Sequence, residues 1–109
     1  MKKIILVTST LFAVTTLFAN PAKEVNLSFK DGTLKIVVVH PVKDSTTHYI
    51  KNITIFIDGK ETKVISPKKQ SSLEAEIQEV SLPELKQGST IEVKTRCNKF
   101  GDKSGKLKL

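Results

Sequence analysis

From residue 25 to the end of the chain, apolar side chains recur at every second position in short runs broken by turn residues, which confines the polypeptide to β-structure. Residues 25 to 29 alternate as Val-Asn-Leu-Ser-Phe and meet a turn at Lys30-Asp31-Gly32, and residues 33 to 39 are apolar enough to form a more fully buried strand. Ile53, Ile55 and Ile57 share one face of a third run that stops at Asp58-Gly59, a strong hairpin signal, and residues 60 to 65 return. After Ser66-Pro67-Lys68, the pattern predicts Leu73, Ala75 and Ile77 on the buried face, with Glu74, Glu76 and Gln78 in solvent. Residues 81 to 87 are predicted to make a single helical turn. Ile91, Val93, Thr95 and Cys97 then fall on one parity and Glu92, Lys94 and Arg96 on the other, while Leu107 and Leu109 close a last short strand. The predicted fold class is all-β, an immunoglobulin-like antiparallel β-sandwich of about seven strands.

Residues 1–19 stand outside this pattern. Lys2 and Lys3 precede an apolar, threonine-studded stretch from Ile4 to Phe18, and Ala19 offers a small residue at a cleavage edge, as in a signal peptide. A membrane span would need about 20 mostly apolar residues, more than this run supplies. The expected product is a single domain of residues 20–109, periplasmic or secreted, with no membrane contact after cleavage. Removing Lys2 and Lys3 leaves 16 basic residues against 11 acidic ones, a net charge of +5. Arg96 is the sole arginine and aromatic residues are few, so the forks and stacking platforms of a nucleic-acid surface are missing. The charge reads as solvated strand faces with a weak attraction for small anions.

Small exported domains commonly pair their cysteines, yet Cys97 has no partner in this chain. If successive strands run up and down, the connections at residues 40–49, 66–71 and 97–103 lie at one end, beside residues 20–24. His40, His48 and Cys97 then share a rim, and strand parity turns Cys97 inward. Taken singly, His40 is equally an end-cap before Pro41, His48 a partly buried ring beside Tyr49, and Cys97 an inert buried thiol. Together they form a candidate metal site, because imidazole and thiolate suit iron, zinc or copper. A Cys-His nucleophile would want a third residue to orient the histidine, and none stands out.

His40-Pro41-Val42, His48-Tyr49-Ile50, Ile57-Asp58-Gly59-Lys60, and Cys97-Asn98 with Gly101 together resemble the iron domain of superoxide reductases, found in neelaredoxin and desulfoferrodoxin. The resemblance covers most of residues 20–109. It implies an immunoglobulin-like sandwich holding mononuclear, non-heme iron through four histidines and one cysteine. It also implies an open position where superoxide is reduced to hydrogen peroxide with electrons from a donor protein. By this resemblance His40 and His48 look like equatorial ligands and Cys97 like the axial thiolate. Two ligand positions differ: Phe100 stands where the family has a histidine three residues after its cysteine, and Asn20 and Pro21 stand where it has one ahead of the first strand. Loss of two imidazoles argues against full superoxide reductase activity, while three remaining ligands suffice for zinc, copper or loosely held iron. A second resemblance, to the Z subunit of the periplasmic thiosulfate-oxidation carrier, implies a metal-free binding module. It rests on the histidine-proline pair, the Asp-Gly-Lys hairpin and Asn98-Lys99-Phe100-Gly101, and leaves Cys97 unexplained. A plain adhesion or scaffold sandwich is the third reading.

Overall fold

Two Asp-Gly pairs set the frame of the molecule, whose computed structural model describes residues 20–109. The predicted signal peptide lies outside those residues. Asp31 and Gly32 have φ values of 52° and 78°, and Asp58 and Gly59 have 51° and 84°. Positive φ at both central positions is what a two-residue hairpin needs to match the twist of its strands. The first pair joins β1 (Glu24–Lys30) to β2 (Thr33–Val39), and the second joins β3 (Ile50–Ile57) to β4 (Lys60–Ile65). Three further strands follow: β5 (Ala75–Ser81), β6 (Thr90–Cys97) and β7 (Asp102–Lys108). The last is longer than the Leu107–Leu109 tail that alternation marks out.

All pairings are antiparallel, and the strands form two sheets, β1-β2-β5 and β4-β3-β6-β7. The all-β, seven-strand expectation therefore holds. Constant-type immunoglobulin order would put the fourth strand beside the fifth, whereas here β4 pairs with β3. No helix occurs among the described residues; in the 81–87 segment an isolated turn, with Leu85 N–H donating to Leu82 O at 3.2 Å, replaces the predicted helical turn.

The core lies between the sheets. Leu34, Ile36 and Val38 from β2 join Ile53 and Ile55 from β3 and Ile91 and Val93 from β6, all fully buried. Each such side chain contributes about 1.5–3 kcal/mol through burial. Gly105 in β7 has no room for a side chain, because a Cβ there would strike the Val25 carbonyl, so β1 crosses β7 at close range.

The parity predicted for β5 is wrong. Register pairs Val80 with Leu34, Gln78 with Ile36 and Glu76 with Val38, so the polar side chains Glu76 and Gln78 share the inward face. Of the three residues expected inside, only Ala75 is buried; Leu73 and Ile77 are 48% and 44% exposed. The physical reason is local satisfaction of the carboxylate. Glu76 Oε1 accepts the Ser71 N–H at 2.8 Å and the Ser71 hydroxyl at 3.0 Å, and Oε2 accepts the Gln78 amide. Since β5 is an edge strand, an inward charge also disfavours pairing with a second chain.

The up-and-down count places the loops correctly. At one end Lys23 N–H bonds Val39 O, Asn20 N–H bonds Phe100 O, Gln70 N–H bonds Ser45 O and Asn98 N–H bonds Tyr49 O, at 2.7–3.0 Å. At the other end Leu82 N–H reaches Gly32 O and Asp58 N–H reaches Thr90 O.

Candidate metal centre

His40 directly follows β2, His48 stands two residues before β3, and Cys97 ends β6. Alternation along β6 carries the Cys97 side chain inward with Ile91, Val93 and Thr95, and all four are buried. A register shift between Ile50 and Asn52, opposite the end of β6, adjusts the entry into β3. Such irregularities commonly re-aim side chains at sheet rims. As the strand count requires, the three residues meet: their donor atoms all lie within 4.8 Å of one another. The shortest separation is 3.2 Å, between His48 Nε2 and Cys97 Sγ. The two imidazole rings stand edge to face, 88° apart in plane with centroids 4.8 Å apart.

Each donor is held by its loop. Asp44 accepts the Thr46 N–H at 2.9 Å and its hydroxyl at 2.6 Å, and His48 N–H closes the turn on Asp44 O at 3.0 Å. Asn98 binds this loop to the cysteine loop: its side chain accepts the Tyr49 N–H and donates to Thr47 O, both at 3.0 Å. Cys97 Sγ also accepts the Lys99 N–H at 3.3 Å.

His40 is 2% exposed and anchored by a residue that alternation and motif do not mark. The amide of Gln70, itself 2% exposed, donates to His40 O at 2.7 Å and to Ser72 O at 2.9 Å. Its oxygen faces His40 Nδ1 at 2.6 Å. A polar partner on the second nitrogen of a histidine is the usual way a protein fixes a ligand ring, since it sets both the tautomer and the orientation. Gln70 sits in a polar loop, and only that loop's place at the rim connects it with the site in the sequence.

The electrostatics favour neutral imidazole at His48. Burial, then repulsion from His40 and Lys99, hold its pKa below the ordinary histidine value. A neutral ring has a lone pair to offer a metal. His48 opens into a cleft of about 550 Å³ lined by Asn20, Pro41, Lys43, Asp44 and Lys99, among others. Phe100, at the position where the resembling family carries a ligand, is 69% exposed and has a φ of 113°.

The residues fit a transition-metal ion in kind and in spacing. Bonds of about 2.0 Å to nitrogen and about 2.3 Å to sulfur bring donors to within about 3–3.5 Å of one another. The His48–Cys97 pair already meets this, and small movements of side chains would bring in His40. No family model and no curated protein matches the chain.

Proposed function

We propose that this chain is an exported, single-domain metalloprotein of superoxide reductase-like plan, in which His40, His48 and Cys97 hold one mononuclear transition-metal ion. The observation that supports this reading is the convergence of the three donors within 4.8 Å, two from opposite ends of the β2–β3 connection and one from the end of β6. Iron is the ion the resemblance implies, and it would supply the electron that reduces superoxide to hydrogen peroxide. With three side-chain donors where the family has five, zinc and copper compete for the same place. The chain's own residues have separate tasks. His48 lies at the solvent cleft, His40 is held from behind by Gln70, and Cys97 presents a sulfur stabilised by the Lys99 N–H. Lys43 and Lys99 give the cleft a positive rim that attracts a small anion such as superoxide. An electron-donor protein is the expected partner if the iron reading holds.

The test is anaerobic reconstitution with ferrous iron followed by oxidation. A visible thiolate-to-iron absorption that vanishes in Cys97→Ala is the expected result, and superoxide decay in the reconstituted protein then decides activity. Absence of stoichiometric iron, zinc or copper binding removes the metal reading and leaves the metal-free binding module, which predicts co-purification with a sulfur-carrying partner.

A further inference from the structure

Imidazole binds a metal through a nitrogen that carries no hydrogen, and the surroundings of His40 decide which nitrogen can do so. The Gln70 amide nitrogen is committed to two carbonyl acceptors, His40 O and Ser72 O, at 2.7 and 2.9 Å. The atom 2.6 Å from His40 Nδ1 is therefore the Gln70 oxygen, which cannot donate. Nδ1 is thus engaged with Gln70, and Nε2 is the nitrogen left to face a metal ion. Facing it at 3.2 Å stands the main-chain oxygen of Asn20, a second electron pair donor. That separation is the one that two donors bonded to a single transition-metal ion keep, and Asn20 lines the same cleft as His48.

We infer that the main-chain carbonyl of Asn20 is the fourth donor of the His40–His48–Cys97 centre, and that the resulting set of two imidazoles, one thiolate and one carbonyl takes copper. This rests on the metal-binding function proposed above and deepens it. Two histidines and a cysteine, with a weak backbone oxygen as the remaining donor, are the ligand set that copper electron-transfer sites use. Hydrogen bonding to the cysteine sulfur tunes such sites, and here the Lys99 N–H supplies it at 3.3 Å. The carbonyl is held in place by the cysteine loop itself. Asn20 N–H donates to Phe100 O at 2.9 Å, and Pro21 lies against Gly101, where an added Cβ would come within 2.8 Å of three Pro21 atoms.

The chain contains a single Asn-Pro pair, Asn20-Pro21. Protein labelled at the asparagine carbonyl carbon and the proline nitrogen therefore gives one correlated NMR signal, that of the Asn20 carbonyl. Anaerobic titration with cuprous ion, which is diamagnetic, is expected to move this signal until one equivalent is bound, and to leave it unmoved in Cys97→Ala. Cupric loading is expected to give an intense visible thiolate-to-copper absorption in the unmodified protein. Stoichiometric copper with an unmoved Asn20 signal would overturn the fourth donor while leaving the three-ligand centre intact. Zinc binding without any thiolate-to-copper absorption would overturn the choice of copper. Binding of iron alone would likewise overturn the choice of copper; if iron, zinc and copper all fail to bind, the metal reading itself falls, and this inference with it.

Discussion

His48 Nε2 and Cys97 Sγ, 49 residues apart in sequence, stand 3.2 Å from each other at the mouth of the sandwich. Neither belongs to the other's hairpin. Their meeting depends on β3 and β6 being neighbours, with Ile50 opposite Cys97. Replacing Cys97 by Ala therefore tests the centre with little cost to the fold. Metal affinity is expected to fall by at least about 100-fold, since a direct ligand outweighs the 10- to 100-fold effect of a supporting residue. Metal-free stability should drop by only about 1 kcal/mol. Isothermal titration and urea unfolding measure the two quantities side by side.

Gln70 offers a sharper separation. Gln70→Leu strands the His40 N–H and leaves two carbonyls without their donor, at about 1–3 kcal/mol for each buried group left unpaired. Metal affinity is expected to fall about 10- to 100-fold. Gln70→Glu keeps the acceptor for Nδ1 but loses the amide donor. It should restore much of the affinity while remaining destabilised. Equal affinity in the leucine and glutamate variants would contradict an orienting role for Gln70.

Acid should weaken the metal-free protein in two windows. The folded-state pKa of His48 lies below the ordinary value of about 6.5. Between those two values the unfolded chain binds a proton that the folded chain does not, so stability declines as pH falls through that window. Asp44 is depressed by its hydrogen bonds to Thr46. Its contribution is present above the ordinary carboxylate value of about 3.9 and is lost as pH falls through the lower folded value. Urea midpoints across this range should show the upper window flattened in His48→Gln and the lower one flattened in Asp44→Asn.

The register of β5 makes a prediction opposite to that of its hydrophobicity. Ile77→Ser, at a 44% exposed position, should change stability by no more than about 0.5 kcal/mol. Val80→Ala, at a 6% exposed position facing Leu34, should cost about 1–3 kcal/mol. Chemical denaturation of the two variants distinguishes this register from one shifted by a residue.

Gly105→Ala should be among the most damaging small substitutions in the chain, because the new methyl meets the fixed Val25 carbonyl rather than a flexible side chain. A loss of more than about 2 kcal/mol is expected. Gly59→Ala has open space around its Cβ. It should cost only the strain of a positive φ, about 1 kcal/mol.

Most of the architecture was legible in the sequence because its signals are local. The Asp31-Gly32 and Asp58-Gly59 pairs encode their own hairpins, and the parity of Ile91, Val93 and Cys97 survives folding unchanged. The rim could also be reached, since a count of strand directions needs nothing beyond the turns. β5 resisted for a physical reason. A shift of one residue exchanges the two faces of a strand, and the buried Glu76 is accommodated by Ser71, a partner in the preceding loop that no periodicity reveals. Gln70 was hidden in the same way, because its importance lies in where its amide points.

His40 hangs from one sheet, whereas His48 and Cys97 belong to the other. Any ion bonded to all three would fasten the two layers of the sandwich at their open mouth, as a rivet joins two plates. The single thiol would thus serve as a cross-brace that a lone cysteine cannot form by oxidation within one chain. Amide exchange in the first residues of β3 and the last of β2 would then slow together on loading, from opposite sides of the core.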